Sequence, residues 1–482
     1  MSVALGLDIG TTSTKGVVLD PQSGVLESLS RPVAPSSRAP GWLEEDPGEW
    51  WRNVCEICND VASRYKVASV GVCGMVPCVI LLDEDGMPLL PSIQQNDARA
   101  GAEIAALRAR LDEDDILRRT GSGITQQSVG PTLLWIADHE PGAWARTRRI
   151  CGSYDFIVRQ LTGADSVEAN WALESGLYDF PARAWAADVL QACGCDAGLL
   201  AEVRDSSAVV GQVSRAASRA TGLSPGIPVT AGVADHVSAA FASGVVREGD
   251  LLVKLGGAGD ILMCSTEAVV DRRLYLDYHV VPDLWLPNGC TASSGTLVRW
   301  FQSQLAGGAA LPQLDAEAAQ SAAGARGVTC LPYFLGEKTP IHDPDARGAF
   351  TGLHLGTTRG DLFRAVLESV GYAFRHHLEV LAEHGLSPRR IRVADGGSKS
   401  RLWVEIVAGI LGAPVETLEV PDASALGAAF VGGLAGGALA QWGEIERFVT
   451  VGARVEPEDE IRYSEGYAKY RALYPALRGA GV

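Results

Sequence analysis

The chain has 482 residues, 47% of them hydrophobic and 21% charged. That is enough apolar surface for roughly three units of about 150 residues or two large ones, and it excludes one small domain or a mainly disordered chain. Forty-one Lys and Arg against 58 Asp and Glu leave a formal charge of −17, a field that repels nucleic acid and anionic membranes and favours a small-molecule partner.

In chain order, VALGLDIGTTSTKGVVLDPQSG predicts an apolar strand, a glycine and threonine turn, a second strand and another turn. Asp8 ends the first strand directly before the turn, where a solvated structural carboxylate has little reason to be buried, and it is the natural anchor for a metal ion. Thr11, Thr12 and Lys15 offer hydroxyls and a cation to phosphate. A Walker A loop is excluded, because Gly10 is followed by TTST and then by Lys15 and Gly16 in the wrong order. No stretch supplies G-x-G-x-x-G between a strand and a helix, so a dinucleotide site has no support. No basic, apolar leader opens the chain, and the ten cysteines are expected to be reduced core thiols of a cytoplasmic protein, without disulfides. Cys55 and Cys58 lie in the helical pattern WWRNVCEICNDVA, where i, i+3 spacing places both on one face, and no second pair completes a zinc site.

The next segment, ASVGVCGMVPCVILLDEDGMPL, is strand-rich, and Met75 to Cys78 read as a plain core strand or as a site segment; AGAEIAALRARL then turns helical. From Ile227, IPVTAGVADHVSAAF gives strand, turn and helix, with Asp235 at the helix start, open to reading as an N-cap or as a general base. The segment LLVKLGGAGDILMC repeats the outline of the opening, a hint of duplication, and the domain break is placed near Ser243 to Asp250. Asp361 to His384 is a scaffold helix with one apolar face. In IRVADGGSKSRLWVE a strand ends at Asp395, Gly396 and Gly397, and a helix is expected to open near Ser398 with its first N–H groups toward a ligand. Ala423 to Gly443 carries no charge, but its glycines, GGLAGG among them, predict a closely packed buried helix rather than a membrane span.

Several of these motifs, in order, resemble the FGGY family of carbohydrate kinases: DIGTTSTKG, LPYFLGEKTPIHDPDARGAFTGLHLGTTRGDLFRAVLESV, VADGGSKSRLWVEIVAGILGAPV and DASALGAAFVGGLAGG. The likeness runs from about residue 4 to 440 and implies an α/β fold of two actin-like, ribonuclease H-like ATPase domains flanking an ATP and sugar cleft. Residues 1–243 would carry the sugar site, the first phosphate loop and the catalytic Asp, and residues 244–482 the second phosphate loop and the adenosine site. The resemblance implies ATP and Mg²⁺ as cofactors, Asp235 as the base that takes the proton of the attacking hydroxyl, and a metal held by Asp8 and Asp235. It places the adenosine corner at Gly396 and Gly397, with Ser398, Lys399 and Arg401 nearby, and the second phosphate loop at Gly256, Gly257, Ala258 and Gly259.

That loop departs from the family pattern. Relatives usually present Thr and Ser there, whereas Gly257 and Ala258 have no hydroxyl, and Lys254 and Asp260 bring charges where neutral residues are common. Sugar contacts are implied at Met75, Val76, Pro77, Gln95, Asn96, Asp97, Arg99, Asp235 and His236. GVCGMVPCVILLDEDGMPL and IQQNDAR are most similar to the xylulose kinase branch. There Val76 and Pro77 stand in place of an expected Met-His pair, Gln95 in place of an aromatic residue, and His236 where Asn or Gln often follows the base. The implied reaction is transfer of the γ-phosphoryl group of ATP to a hydroxyl of a small sugar, a ketopentose such as xylulose. An inactive relative that binds sugar or nucleotide is the second reading, motivated by the altered loop and opposed by retention of both Asp8 and Asp235. A homodimer is expected from the resemblance, with no nucleic-acid or membrane partner.

Overall fold

A computed structural model describes residues 2–479. The chain forms two compact units: the first comprises Met1–Val246, Leu276–Trp285 and Pro421–Phe448, and the second Arg247–Tyr275, Leu286–Val420 and Val449–Val482. The first unit is thus completed by two segments that return to it from the second half of the chain.

The first unit is built on a mixed sheet of β1 (Ser2–Ile9), β2 (Ser13–Asp20), β3 (Gly24–Pro32), β4 (Lys66–Gly74), β5 (Val209–Gln212), β6 (Pro228–Thr230) and β7 (Val233–Ala234). Its order is β5-β6-β4-β1-β2-β3, with β7 also paired to β4. β1 reads SVALGLDI and is buried at every position after Ser2, as a central strand covered on both faces requires. The register sets Asp8 opposite Cys73 of parallel β4 and opposite Lys15 of antiparallel β2, while Val233 of β7 lies opposite Cys73 on the other side. The C-terminal ends of β1, β4 and β7 therefore share one edge, the place where α/β sheets receive ligands.

The uncharged segment forms a helix, Ala423–Ala435, packed against that sheet. A Cβ built on Gly6 would fall 1.9 Å from the Ala425 carbonyl oxygen, and one on Gly71 would fall 1.9 Å from that of Ala428. Small residues on strand and helix allow a backbone-to-backbone approach that no side chain could share. No helix among the described residues is long and apolar enough to cross a membrane.

In the second unit, β8 (Asp250–Leu255), β9 (Gly259–Met263), β10 (Trp285–Thr291), β11 (Arg390–Ala394), β12 (Val415–Glu419) and β13 (Thr450–Val455) run in the order β10-β9-β8-β11-β12-β13. β9 is antiparallel to both β10 and β8, and β8, β11 and β12 are parallel. The strands β3, β2, β1, β4 and β6 follow the same alternation, so the shared outline of the two glycine hairpins extends to the ladders around them. The long helix Arg359–Glu383 opens with a reciprocal cap between Thr358 and Asp361 and buries Phe363, Val366, Leu367, Val370, Phe374 and Leu381 in the core of this unit. The ten cysteines are free thiols; Cys55 and Cys58 lie on the helix Pro47–Ala62, and burial pushes the Cys55 thiol up to about 11.

One buried acid in the first unit carries a stability prediction. Glu45 is 1% exposed and accepts a hydrogen bond from the Trp50 indole at 2.9 Å. Burial pushes its carboxyl from 4.5 up to about 7, against the Trp50 bond. A folded-state value above the unfolded one means that ionisation penalises the fold progressively between those two values and in full above pH 7. Glu45→Gln keeps an acceptor without the charge. It is expected to raise the melting temperature by a few degrees at pH 8, from a gain on the order of 3 kcal/mol, with the gain shrinking steadily below pH 7 in calorimetric scans.

Candidate active site

The shared strand edge gathers the first group of side chains. Asp8 is 8% exposed, and the Cys73 thiol donates to its Oδ1 at 3.5 Å. Burial first, and then the charge of Asp235, push the Asp8 carboxyl up to about 7 against the pull of Lys15. The turn after it is closed by the Gly10 N–H on the Ser13 carbonyl at 3.2 Å and by the Val33 N–H on the Thr12 carbonyl at 3.0 Å, which leaves the Thr11 and Thr12 side chains on the exposed tip. Lys15 projects from β2 and pairs with Asp422 at 2.9 Å. Burial opposes its charge, but the Asp422 and Asp8 carboxylates prevail and hold the ammonium above its usual value. Asp422 directly precedes the small-residue helix in the left-handed region, with φ 50°.

Asp235 is the first residue of the helix Asp235–Ala242, which follows β7 without a break. It is not an N-cap: Ala234 holds that position, and the Asp235 Oδ1 accepts the N–H of the very next residue, His236, at 2.6 Å. The His236 ring lies among three acids. Its Nε2 is 2.8 Å from Asp277 Oδ2 and 3.9 Å from Glu174 Oε1, and its Nδ1 is 3.5 Å from Asp235 Oδ1. Burial works against a charged imidazole, but the carboxylates, Asp277 foremost, outweigh it and favour the imidazolium. Burial, followed by the nearby Asp277, pushes the Glu174 carboxyl upward. One ligand atom from each of Glu174, His236 and Asp277 fits within 4.8 Å of the others, a metal-like spacing in which the imidazole is already engaged by Asp277. Glu174, Asp277, Asp422 and Cys73 were not singled out from sequence: Glu174 and Asp277 carry no motif, and Cys73 and Asp422 sit in motifs whose sequence does not show that they meet Asp8 and Lys15.

The Met75 to Cys78 segment is buried but is not a core strand. β4 ends at Gly74, and Met75, Val76 and Pro77 follow as irregular chain. The Met75 N–H donates to the Ile9 carbonyl at 3.2 Å and its carbonyl accepts from Ser153 Oγ at 2.8 Å, while the Trp171 indole holds the Cys78 carbonyl at 2.9 Å. Farther on, Gln127 reaches Gln95 Oε1 at 3.4 Å, and Gln126 holds the Asn96 carbonyl at 2.7 Å. Asp97 and Arg99 turn toward one another in a buried network: Arg99 donates to both Asp97 oxygens at 2.8 and 2.7 Å and to Glu44 at 2.9 Å. Its guanidinium stacks 3.9 Å over Trp42. Glu44 also receives Arg38, and although burial opposes it, the two guanidiniums keep its carboxyl below the usual range. These side chains hold the 95–99 loop in place.

In the second unit, Gly256 to Gly259 form the tip between β8 and β9. Lys254 and Asp260 pair across that hairpin at 3.3 Å, so the two unexpected charges satisfy each other. The loop's carbonyls are engaged by the start of the helix Gly295–Gln304: Gly256 accepts from the Gly295 N–H at 2.7 Å, and Gly257 from Ser294 and Thr296 at 2.9 and 3.0 Å. A Cβ on Gly257 would meet Thr296 Oγ1 at 3.3 Å and Arg299 Nη2 at 3.5 Å. A hydroxyl and a cation from a neighbouring helix thus lie beside Gly257, and neither Thr296 nor Arg299 was picked out from sequence. Gly259 is fixed by packing, since its Cβ would fall 2.9 Å from Phe374 and Thr291.

At the third glycine corner the helix begins later than its sequence suggested. Gly396–Lys399 form a single 3₁₀ turn and the α-helix runs Arg401–Leu411, with Ser400 as its cap on the Trp403 N–H at 3.1 Å. Asp395 adopts φ 69°, and Ser398 binds the Asp395 carbonyl through both N–H and Oγ, so the chain turns before a helix can start. Gly397 is needed for packing, because a Cβ there would lie 2.5 Å from Leu255 and Trp403; Gly396 has open space around it. Arg401 is exposed and paired with Glu405 at 2.7 Å.

Comparison with known proteins covers nearly the whole chain. Residues 3–242 match the model of the FGGY family of carbohydrate kinases, N-terminal domain, and residues 256–436 that of the C-terminal domain. A xylulose kinase from Rhodospirillum rubrum has a crystal structure that superposes with a TM-score of 0.95 at 44% identity over 99% of both chains. Xylulose kinase of Staphylococcus xylosus is 27% identical over 436 residues, 89% of this chain and 90% of that protein. Glycerol kinase of Bordetella parapertussis is 30% identical over 467 residues, 92% of this chain and 90% of that one.

Proposed function

Because the chain belongs to the FGGY family of carbohydrate kinases, we propose that it phosphorylates a ketopentose, xylulose in the first instance, with ATP as donor. The carrying observation is the pair Asp8 and Asp235, set on one strand edge in a chain matched end to end by xylulose kinases. In this reading Asp235 accepts the proton of the attacking sugar hydroxyl as its oxygen bonds to the γ-phosphorus, the bond from that phosphorus to the bridging oxygen breaks, and ADP leaves with the electron pair.

Asp8 and Asp235 suit a divalent cation, since two carboxylates close enough for one to raise the pKa of the other are relieved by a positive charge. Mg²⁺ held there would neutralise charge developing on the phosphoryl oxygens. Thr11, Thr12 and Lys15 are assigned to phosphate. Gly256, Gly257, Thr296 and Arg299, with the Gly396 to Ser398 turn, are assigned to the nucleotide in the second unit. The buried Met75 to Pro77 segment and the 95–99 loop are assigned to the sugar, with Asp97 and Arg99 acting through the loop they brace.

Glycerol is the specific competitor, given the Bordetella relative and the apolar Val76 and Pro77 in place of a Met-His pair. ADP release with Mg²⁺ and ATP is expected to rise well above the sugar-free rate with xylulose and less with ribulose, other ketoses, tetritols or glycerol. A larger stimulation by glycerol than by any ketopentose would overturn the proposed substrate.

A further inference from the structure

The immediate neighbour of Asp235, His236, has its ring among acids that come from two other elements of the first unit. Asp277 is 1% exposed, and a carboxylate removed from water so completely is retained only where a partner compensates it. That partner is His236, at 2.8 Å. The two elements that bring the acids to the ring are tied to each other. Asn170, on the short helix Ala169–Glu174 that ends in Glu174, donates to the Tyr278 carbonyl at 3.1 Å and accepts the Tyr278 N–H at 2.7 Å, one residue from Asp277. The same helix is capped by the buried Glu168, which accepts the Asn170 N–H at 2.8 Å. Three elements distant in sequence thus converge on one imidazole, and on its far side that ring faces Asp235 Oδ1.

Resting on the reading of Asp235 as the base, we infer that Glu174, His236 and Asp277 form a positioning relay behind it. His236 pins Asp235 Oδ1 with its main-chain N–H and its ring, and Oδ2 is left to receive the sugar proton. Oδ1 has the N–H at 2.6 Å and Nδ1 at 3.5 Å, whereas Oδ2 has no hydrogen bond among the described residues. The carboxylate is thereby held against rotation about its Cβ–Cγ bond, with one oxygen presented to the hydroxyl, and misplacement of a base by about 1 Å is enough to cost ~10²-fold in rate. His236 acts through Asp235, and Asp277 and Glu174 act through His236. The metal-like spacing of the three groups serves the same end without an ion, because the ring nitrogen nearest the acids is already hydrogen-bonded to Asp277.

The test is a kinetic cycle on the full chain with His236→Ala, Asp277→Asn and the double variant, together with His236→Asn as the conservative replacement. His236→Ala should lower kcat roughly 10- to 100-fold with the sugar KM within about threefold. Asp277→Asn should reproduce most of that loss, the double variant should be no worse than His236→Ala, and His236→Asn should recover part of the rate. A sugar KM raised about tenfold or more with kcat held would make His236 a direct sugar contact, and multiplicative losses would dissolve the relay; either result overturns the inference. Histidine-¹⁵N NMR of the wild type reads the same contact without any substrate. A ring N–H signal of His236, assigned by its loss in His236→Asn, should lie far downfield and should move upfield in Asp277→Asn. Its absence would overturn the relay even if no sugar in the panel proved active, while a wild type that shows the signal but no sugar-stimulated ADP release would refute the substrate proposal alone.

Discussion

Replacing Asp235 with asparagine is expected to reduce sugar-dependent turnover by about 10²- to 10⁴-fold, the contribution of a positioned general base. Nucleotide affinity should stay within about threefold of wild type. The substitution is close to isosteric, and Asn Oδ1 can still accept the His236 N–H that Asp235 Oδ1 accepts at 2.6 Å, so the helix start survives. What disappears is the acceptor for the hydroxyl proton. The loss therefore belongs in kcat, with sugar binding measured by calorimetry little changed. Asp8→Asn is the informative contrast. Raised Mg²⁺ should restore more activity to Asp8→Asn than to Asp235→Asn, because excess cation compensates a lost ligand but not a lost proton acceptor, and equal rescue of both variants would remove Asp235 from proton transfer.

The second large effect is structural. Gly71→Ala and Gly6→Ala place a Cβ 1.9 Å from the carbonyl oxygens of Ala428 and Ala425, inside any allowed contact and against backbone that cannot rotate away. Either substitution should force the Ala423–Ala435 helix off the sheet, cost more than about 3 kcal/mol and yield insoluble protein or a melting temperature lowered by about 10 °C or more. Gly101→Ala is the control. A Cβ there meets nothing within 4 Å, at the first position of the helix Gly101–Arg108, so it should be neutral or slightly stabilising in the same thermal scans.

Local chemistry singles out Asp8 as a candidate, an acid at the end of an apolar strand before a glycine turn. Asp235, an acid opening a helix after a strand, is open to reading as a cap or as a base, and only the resemblance implies the base. The uncharged 423–443 run was readable as a packed helix from its glycines. Its partners Gly6 and Gly71 were not, because nothing in a strand's sequence names the helix that will cover it. Glu174 and Asp277 carry no motif, and Asp422, although it opens DASALG, meets Lys15 only because the chain returns to the first unit at 421–448, as Asp277 meets His236 through the return at 276–285. For the Asn96 to Arg99 run the resemblance implies sugar contacts, and what the sequence does not announce is that Asp97 and Arg99 also brace each other. The late start of the Arg401 helix has a smaller cause: Asp395 takes a left-handed conformation that the strand before it does not announce.

The covering helix has a further consequence for how the protein is made. Strands β1 and β4 are complete once residue 74 has been synthesised, yet the helix that seals them begins at Ala423, roughly 350 residues later. At about 5 to 20 residues per second, the nascent sheet waits on the order of 20 to 70 seconds for its cover. During that interval the growing polypeptide presents an apolar surface at the ribosome exit, a natural target for holdase chaperones. A fragment ending at Val246, although it contains both Asp8 and Asp235, lacks the helix that covers its sheet and is expected to be insoluble when expressed alone.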